Sequence, residues 1–370
     1  MYCIVYHLLF FSRPLYPINK LQKVLIVDII DGLKNTKIKH VQLDLFGYCN
    51  AACWYCPVKY ISQPGRTRKH MPVALVEKIL SELHHEREKE HGIVSESLIT
   101  LYSAHYGEIL LYKHFEDFLR LLHKYNFTTS IYSNGSTLTP DKVDLINRNR
   151  EVVSAIILNV PSFDRELWSK RAGLPINQYD KFMENLEYAD KHLTLTVPTS
   201  LKVSDGISGL IMLINGVDDN VWNNATVPGK EFESLEIDTD PVTGERAKAY
   251  NFAQSKYKNF IVYQEYVLQD RAGLISNLIS NQEMVKQQLV TGEVIGCTGY
   301  EVDTDRTTEW AHINPLGEIF LCCNDYNMDY VFGNLTETSL EEIWFSEKHV
   351  ETIKQARQEI CRNCRYAKIG

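Results

Sequence analysis

Apolar and polar residues alternate along Val41, Gln42, Leu43, Asp44 and Leu45, the period of a strand with one buried face. Further strand-like runs follow at 98–102, 128–132, 152–158, 193–197 and 234–237. Helical stretches lie between most of them. Pro72 opens one whose Val76, Ile79, Leu80 and Leu83 share a face, and 115–125 and 179–192 carry others. Strand and helix in alternation predict parallel strands, hence a barrel or a doubly wound sheet. Six strands in about 200 residues fall short of the eight that close a full barrel. From 241 to 287 the pattern loosens, with Asp240-Pro241 and Thr243-Gly244 as turn signals, and reads as a connector with one helix near its end. Thr338 and Glu341 have capping-box spacing and predict a helix through Ile343 and Trp344.

Composition narrows the function classes. The 370 residues are 44% apolar and 23% charged, enough for two domains with real cores. Lys and Arg number 39 against 47 Asp and Glu, and a net charge of −8 argues against a nucleic-acid footprint. No run reaches the roughly 18 apolar residues of a membrane span. The stretch 1–11 is apolar but lacks a basic start and a small-residue cleavage site, and His7 interrupts it. It reads as a strand or tail packed on the body, not a signal peptide. The crowd of His84, His85, Glu86, Glu88 and His91 does not make H-E-x-x-H, since position 89 is Lys, and reads as a solvated helix end.

The nine cysteines stand at 3, 49, 53, 56, 297, 322, 323, 361 and 364. Eight fall in two groups, and clustered thiols without an export signal read as metal ligands rather than disulfides. Cys49-Asn-Ala-Ala-Cys53-Trp-Tyr-Cys56 is C-x3-C-x2-C on the loop after the first strand. Thiolates select soft metals, so an iron–sulfur cluster or zinc is expected there. Three ligands leave one metal position open, as a reactive site needs. In the second group Cys297, Cys322, Cys361 and Cys364 supply four thiols, enough to close a site around a 4Fe–4S cluster or zinc.

The first group resembles the radical S-adenosylmethionine (radical SAM) superfamily, in which three cysteines hold a 4Fe–4S cluster. There the open iron chelates S-adenosylmethionine, which is cleaved reductively to a 5′-deoxyadenosyl radical that abstracts a substrate hydrogen. The resemblance implies a partial (β/α)6 TIM-like barrel over 37–240, after an N-terminal extension over 1–36. It places Tyr55 near the adenine. Tyr106-Gly107-Glu108 matches the family's Gly-Gly-Glu segment with its first Gly replaced, which implies that Gly107 lines the cofactor and Glu108 accepts from its ammonium group. Ser133 and Asn134 match a polar strand end that contacts the cofactor, and Asn159 and Arg171 match ribose and carboxylate contacts.

The second group resembles the SPASM/twitch extension of such enzymes: a first Cys, Gly317-x4-Cys322, the Gly333-Asn334 turn, a helix, and Cys361-x2-Cys364. The resemblance implies a small α+β domain over 288–370 with one auxiliary 4Fe–4S cluster held by Cys297, Cys322, Cys361 and Cys364. The chain carries no further cysteines after Cys364, which matches the shorter twitch form. Asp270-Arg271-Ala272-Gly273 is similar to a short motif before this extension in relatives. Full ligation there favours electron transfer over direct substrate binding.

The implied activity is a cytoplasmic, anaerobic radical SAM oxidoreductase or maturase acting on a peptide or a small molecule, served by a flavodoxin- or ferredoxin-type electron donor. Oxidation uses the auxiliary cluster as electron acceptor. Epimerisation instead needs a hydrogen donor, for which Cys323 or Cys3 is available, and peptide cross-linking is a third outcome. Asp238 and Asp240 near a strand end are candidates for acid–base work or for turn formation before Pro241. With about 36 residues before the first strand, no in-chain reader of a peptide leader is expected. A metal-binding interaction protein without catalysis is the alternative class.

Overall fold

The computed structural model describes residues 29–53, 56–59, 68–98, 100–103, 106–195, 209–214, 244–264, 272, 274, 291–297, 304–364 and 366–370. Strands and helices alternate through β1 (His40–Leu43), α1 (Val73–Glu88), β2 (Thr100–Ser103), α2 (Phe115–Tyr125), β3 (Thr128–Ser133), α3 (Pro140–Arg148) and β4 (Val153–Val160). They continue through α4 (Arg165–Ala172), α5 (Tyr179–His192), β5 (Gly209–Ile214), α6 (Glu245–Lys256) and β6 (Ile261–Gln264). Strands β1 to β6 pair parallel in chain order. The last part adds β7 (Val294–Cys297), β8 (Trp310–Ile313), β9 (Glu318–Phe320), β10 (Val331–Asn334), α7 (Leu340–Trp344), α8 (Glu347–Gln358) and β11 (Ala367–Ile369).

The two parts share one sheet. Strand β8 pairs parallel with β1, from His40 opposite Trp310 to Leu43 opposite Ile313, and β9 and β10 follow antiparallel. Among the described residues the order is β10-β9-β8-β1-β2-β3-β4-β5-β6, with β7 and β11 as a separate pair. Val41, Leu43, Leu101, Ile131, Ile156 and Leu158 bury one sheet face against Leu80 and Leu83 of α1 and Phe118 and Leu122 of α2. Alternation sends His40, Gln42, Asp44 and Tyr102 to the other face, where Ala155, Ile157 and Tyr132 also pack. Contacts from α1 clamp the second part: Lys78 donates to Leu335 O and Thr338 O, Glu82 accepts from Leu340 N at 2.7 Å, and Lys89 pairs with Glu341 at 3.0 Å.

Three elements differ from the sequence reading. Residues 193–195 form no strand, because Leu193 N caps α5 on Ala189 O; the fifth strand is Gly209–Ile214. The sixth is Ile261–Gln264, inside the stretch read as a connector, and the run 234–237 lies outside the described residues. The connector stretch also carries α6 near its start, and the helix expected near its end, within 275–287, lies outside the described residues. The capping box is Ser339 with Glu342, one residue later than expected, which frees Glu341 for Lys89. The end of α1 is exposed at His85, Glu88 and His91, as the sequence implies, while Glu86 is buried and accepts from Ile93 N, and Arg87 donates to the carbonyls of Leu98, Tyr125 and Asn126.

Candidate functional site

The first cysteine loop leaves the carboxyl end of β1, where ligands gather in sheets of parallel strands. Cys49 lies within electrostatic reach of both Cys53 and Cys56, and Cys56 N closes a turn on Cys53 O at 3.0 Å. Helix α4 steadies the loop from outside. Ala52 N donates to Ala172 O at 2.9 Å, and Gly173, at φ 64°, lies so close that a Cβ there would stand 2.4 Å from Ala52 O. Arg171 is buried one step earlier and donates to Pro161 O at 3.3 Å, just beyond Asn159 at the end of β4.

The loop after β2 packs directly on the loop after β1. A Cβ on Gly107 would stand 1.6 Å from Phe46 O, so only glycine fits. Glu108 N donates to Tyr48 O at 3.0 Å. The Glu108 carboxylate accepts from Asn134 N at 2.9 Å and Leu110 N at 3.3 Å, so it ties the ends of β2 and β3 together. Burial raises its pKa despite these donors, which include the Ser133 hydroxyl. Any ammonium contact would share oxygens already committed to the backbone. Asn134 Nδ2 reaches Asn50 Oδ1 at 3.0 Å and faces Cys49 Sγ at 3.7 Å, while Asn50 Nδ2 donates to Ser136 Oγ at 2.9 Å.

The second group gathers where β7, the turn after β9 and the end of α8 meet. Cys297 N donates to Asp305 Oδ2 at 3.0 Å. Asn324 donates through its backbone to Cys322 Sγ at 3.4 Å and through Nδ2 to Cys364 Sγ at 3.6 Å, so it holds two of the thiols at once. Cys364 N turns back on Cys361 O at 3.1 Å. Arg306 is buried, donates to Cys323 Sγ at 3.0 Å, and lies within electrostatic reach of Cys322, Cys297 and Cys364.

Residues 43–222 match the radical SAM superfamily, and residues 305–365 match SPASM, an iron–sulfur cluster-binding domain. The chain is a radical SAM enzyme with a SPASM domain. Comparison with curated proteins gives no match. Among solved structures, it is similar to a histidine-tagged form of anSMEcpe with bound AdoMet, at 14% identity and TM-score 0.52, over 89% of this chain and 83% of the other. It is also similar to Streptococcus suis SuiB bound to S-adenosylmethionine, at 12% identity and TM-score 0.51, over 94% and 75%. These likenesses bear on the fold.

A radical SAM enzyme with a SPASM domain uses S-adenosylmethionine, a 4Fe–4S cluster and auxiliary iron–sulfur ligation; the thiol donors of this chain suit that chemistry, and among the described residues no three His, Cys, Asp or Glu side chains are grouped as a metal site. Burial and the Glu108 carboxylate both push the Cys49 thiol up, so a bound cation is what lets it ionise. Burial likewise pushes Cys361 up to about 12 and Cys364 up to about 11. Cys323 is the more acidic of its pair: it accepts from the Cys322 thiol, and the Arg306 guanidinium and His312 lie beside it. The structure brings Gly107, Glu108, Ser133 and Asn134 together beside Cys49, and Arg171 beside the cysteine loop. Tyr55, Asp238, Asp240, Cys3, Asp270 and Arg271 lie outside the described residues. No helix among the described residues is long and apolar enough to cross a membrane.

Sequence reasoning passed over Asp44, Asn50, Ser136 and Arg306. Asp44 carried a usable signal, since it is the polar step of the β1 alternation nearest the first cysteine. Its buried carboxylate accepts from Tyr106 N at 2.9 Å and also from Gly107 N, and burial raises it to about 7. The Asn50–Ser136 and Arg306–Cys323 contacts join residues far apart in the chain, so spacing alone does not disclose them.

Proposed function

We propose that this radical SAM enzyme oxidises its substrate by two electrons, with the auxiliary centre as the electron acceptor. When bound, S-adenosylmethionine and the cluster at Cys49, Cys53 and Cys56 supply a 5′-deoxyadenosyl radical that takes one hydrogen atom from a substrate C–H bond. The substrate then gives up one electron and one proton. Cys297, Cys322, Cys361 and Cys364 hold the acceptor, with all four protein positions filled. The observation that carries the reading is Arg306, a buried cation that donates to the neighbouring Cys323 and lies within electrostatic reach of Cys322, Cys297 and Cys364. A positive charge there stabilises the reduced, more negative centre and raises its potential.

Gly107 and Asn134 shape the shelf beside the cysteine loop, and Glu108 braces it. Asn159, near the end of β4, and Arg171, on α4, are the residues assigned to ribose and carboxylate contacts. A flavodoxin- or ferredoxin-type protein delivers the starting electron, and the substrate is a peptide or a small molecule. A second reading, epimerisation, is favoured by Cys323, a thiol outside the four-ligand set. Anaerobic turnover of a candidate substrate pool in deuterated water, followed by mass spectrometry, separates the outcomes. Oxidation gives a product lighter by two hydrogens. Unchanged composition with a solvent deuteron on carbon would instead establish epimerisation, and a two-hydrogen loss with an internal link in the fragment spectrum would establish cross-linking.

A further inference from the structure

Tyr106 fills the place of the first glycine in the Gly-Gly-Glu segment, and its side chain leaves the barrel site altogether. It is 1% exposed. Its hydroxyl donates to Asp325 O at 3.1 Å, and its ring meets Tyr326 edge-on at 5.7 Å and Phe320 at 6.2 Å. Cys56 packs against the same apolar cluster. On its backbone side, Tyr106 N is held by Asp44, and the next two residues rest on Phe46 and Tyr48, the entry to the first cysteine loop.

The other end of this contact belongs to the auxiliary centre. Asp325 N donates to Cys322 O at 2.9 Å, and the Asp325 carboxylate accepts from Asp329 N at 3.0 Å and Tyr330 N at 2.8 Å. Ligation at Cys322 therefore fixes a turn whose carbonyl holds the Tyr106 hydroxyl. A contiguous path runs from Cys322 O to Asp325 N, from Asp325 O to the Tyr106 hydroxyl, along the backbone to Glu108 N, and from there to Tyr48 O, next to Cys49, the kind of network that carries coupling between sites. A glycine at 106 would break it. A phenylalanine would keep the packing and lose only the hydroxyl.

We propose that Tyr106 is a positioning residue that couples the two cofactor sites, so that filling the auxiliary centre tightens S-adenosylmethionine binding in the barrel. The inference rests on the radical SAM reading. By linkage, S-adenosylmethionine then steadies the auxiliary centre by the same factor.

The test is S-adenosylmethionine affinity, measured by anaerobic equilibrium dialysis on the reconstituted full chain. Four proteins are compared: wild type, Cys361→Ser/Cys364→Ser, Tyr106→Phe, and the combination. Loss of the auxiliary cluster should weaken binding about fivefold or more when Tyr106 is present, and less than about twofold in the Tyr106→Phe background. Iron at the first centre should stay constant in all four. A merely structural tyrosine would lower affinity without changing that factor. Should the cysteine variants unfold, wild type and Tyr106→Phe loaded to graded auxiliary iron content supply the same comparison. Equal factors in the two backgrounds, or no effect of auxiliary loading in wild type, overturn the coupling and leave the cofactor assignment standing. A wild-type protein that binds no S-adenosylmethionine overturns both.

Discussion

Replacing Arg306 with glutamine removes one buried positive charge from the auxiliary thiol set while keeping a side chain that can donate to sulfur. The guanidinium donates to Cys323 at 3.0 Å and acts electrostatically on Cys322, Cys297 and Cys364. Reduction adds one negative charge to the centre these thiols hold. At a separation of about 6 Å and an effective dielectric of about 20, one unit charge contributes about 2.8 kcal/mol to that step. With 59 mV per tenfold change for a one-electron couple, the auxiliary potential should fall by about 120 mV in Arg306→Gln. Redox titration followed by electron paramagnetic resonance measures this, in a Cys49→Ala/Cys53→Ala/Cys56→Ala background where only the auxiliary signal remains. Arg306→Lys should recover most of the potential. A midpoint that stays within about 20 mV of the parent, or moves upward, refutes the argument, because a 2.8 kcal/mol charge effect of this sign cannot leave it there.

Two further outcomes follow from the same geometry. Cys322→Ala should reduce bound iron from about eight to about four per chain, and Cys323→Ala should retain it; the reverse result places the ligand one residue later. Burial raises Asp44 from 3.8 to about 7, so between those values the folded protein keeps a proton that the unfolded chain has released. Its share of stability is therefore fully present below about pH 4 and lost as pH rises through about 7. Asp44→Asn should flatten this decline in urea midpoints between pH 5 and 8, and parallel curves for the two proteins would contradict the assignment.

Local periodicity and spacing disclosed what depends on neighbours in the chain. Val41, Leu43 and Leu45 alternate because one face of β1 is buried, and the cysteine loop follows at once. Helices α1, α2 and α5 were legible from their apolar faces. Strand β5, Gly-Leu-Ile-Met-Leu-Ile, is a continuous apolar run without a period, which cannot be told from a buried helical segment. Leu193-Thr-Leu-Thr-Val alternates like a strand, yet its first residues serve as the cap of α5. The pairing of β8 with β1 crosses more than half the chain, and nothing local in His40–Leu43 announces it. At 106 the sequence shows only that a Tyr replaces the first Gly of the cofactor segment. The fold explains it by a partner, Asp325, that only tertiary packing supplies.

The central claim is that Cys49, Cys53 and Cys56 hold the centre that cleaves S-adenosylmethionine. The most direct measurement is 5′-deoxyadenosine formed by the anaerobically reconstituted chain with dithionite or a flavodoxin system, with and without these thiols. Wild type should form it even without substrate, and the triple alanine variant should form none while keeping the auxiliary iron. Equal formation by the two proteins would contradict the account at its base.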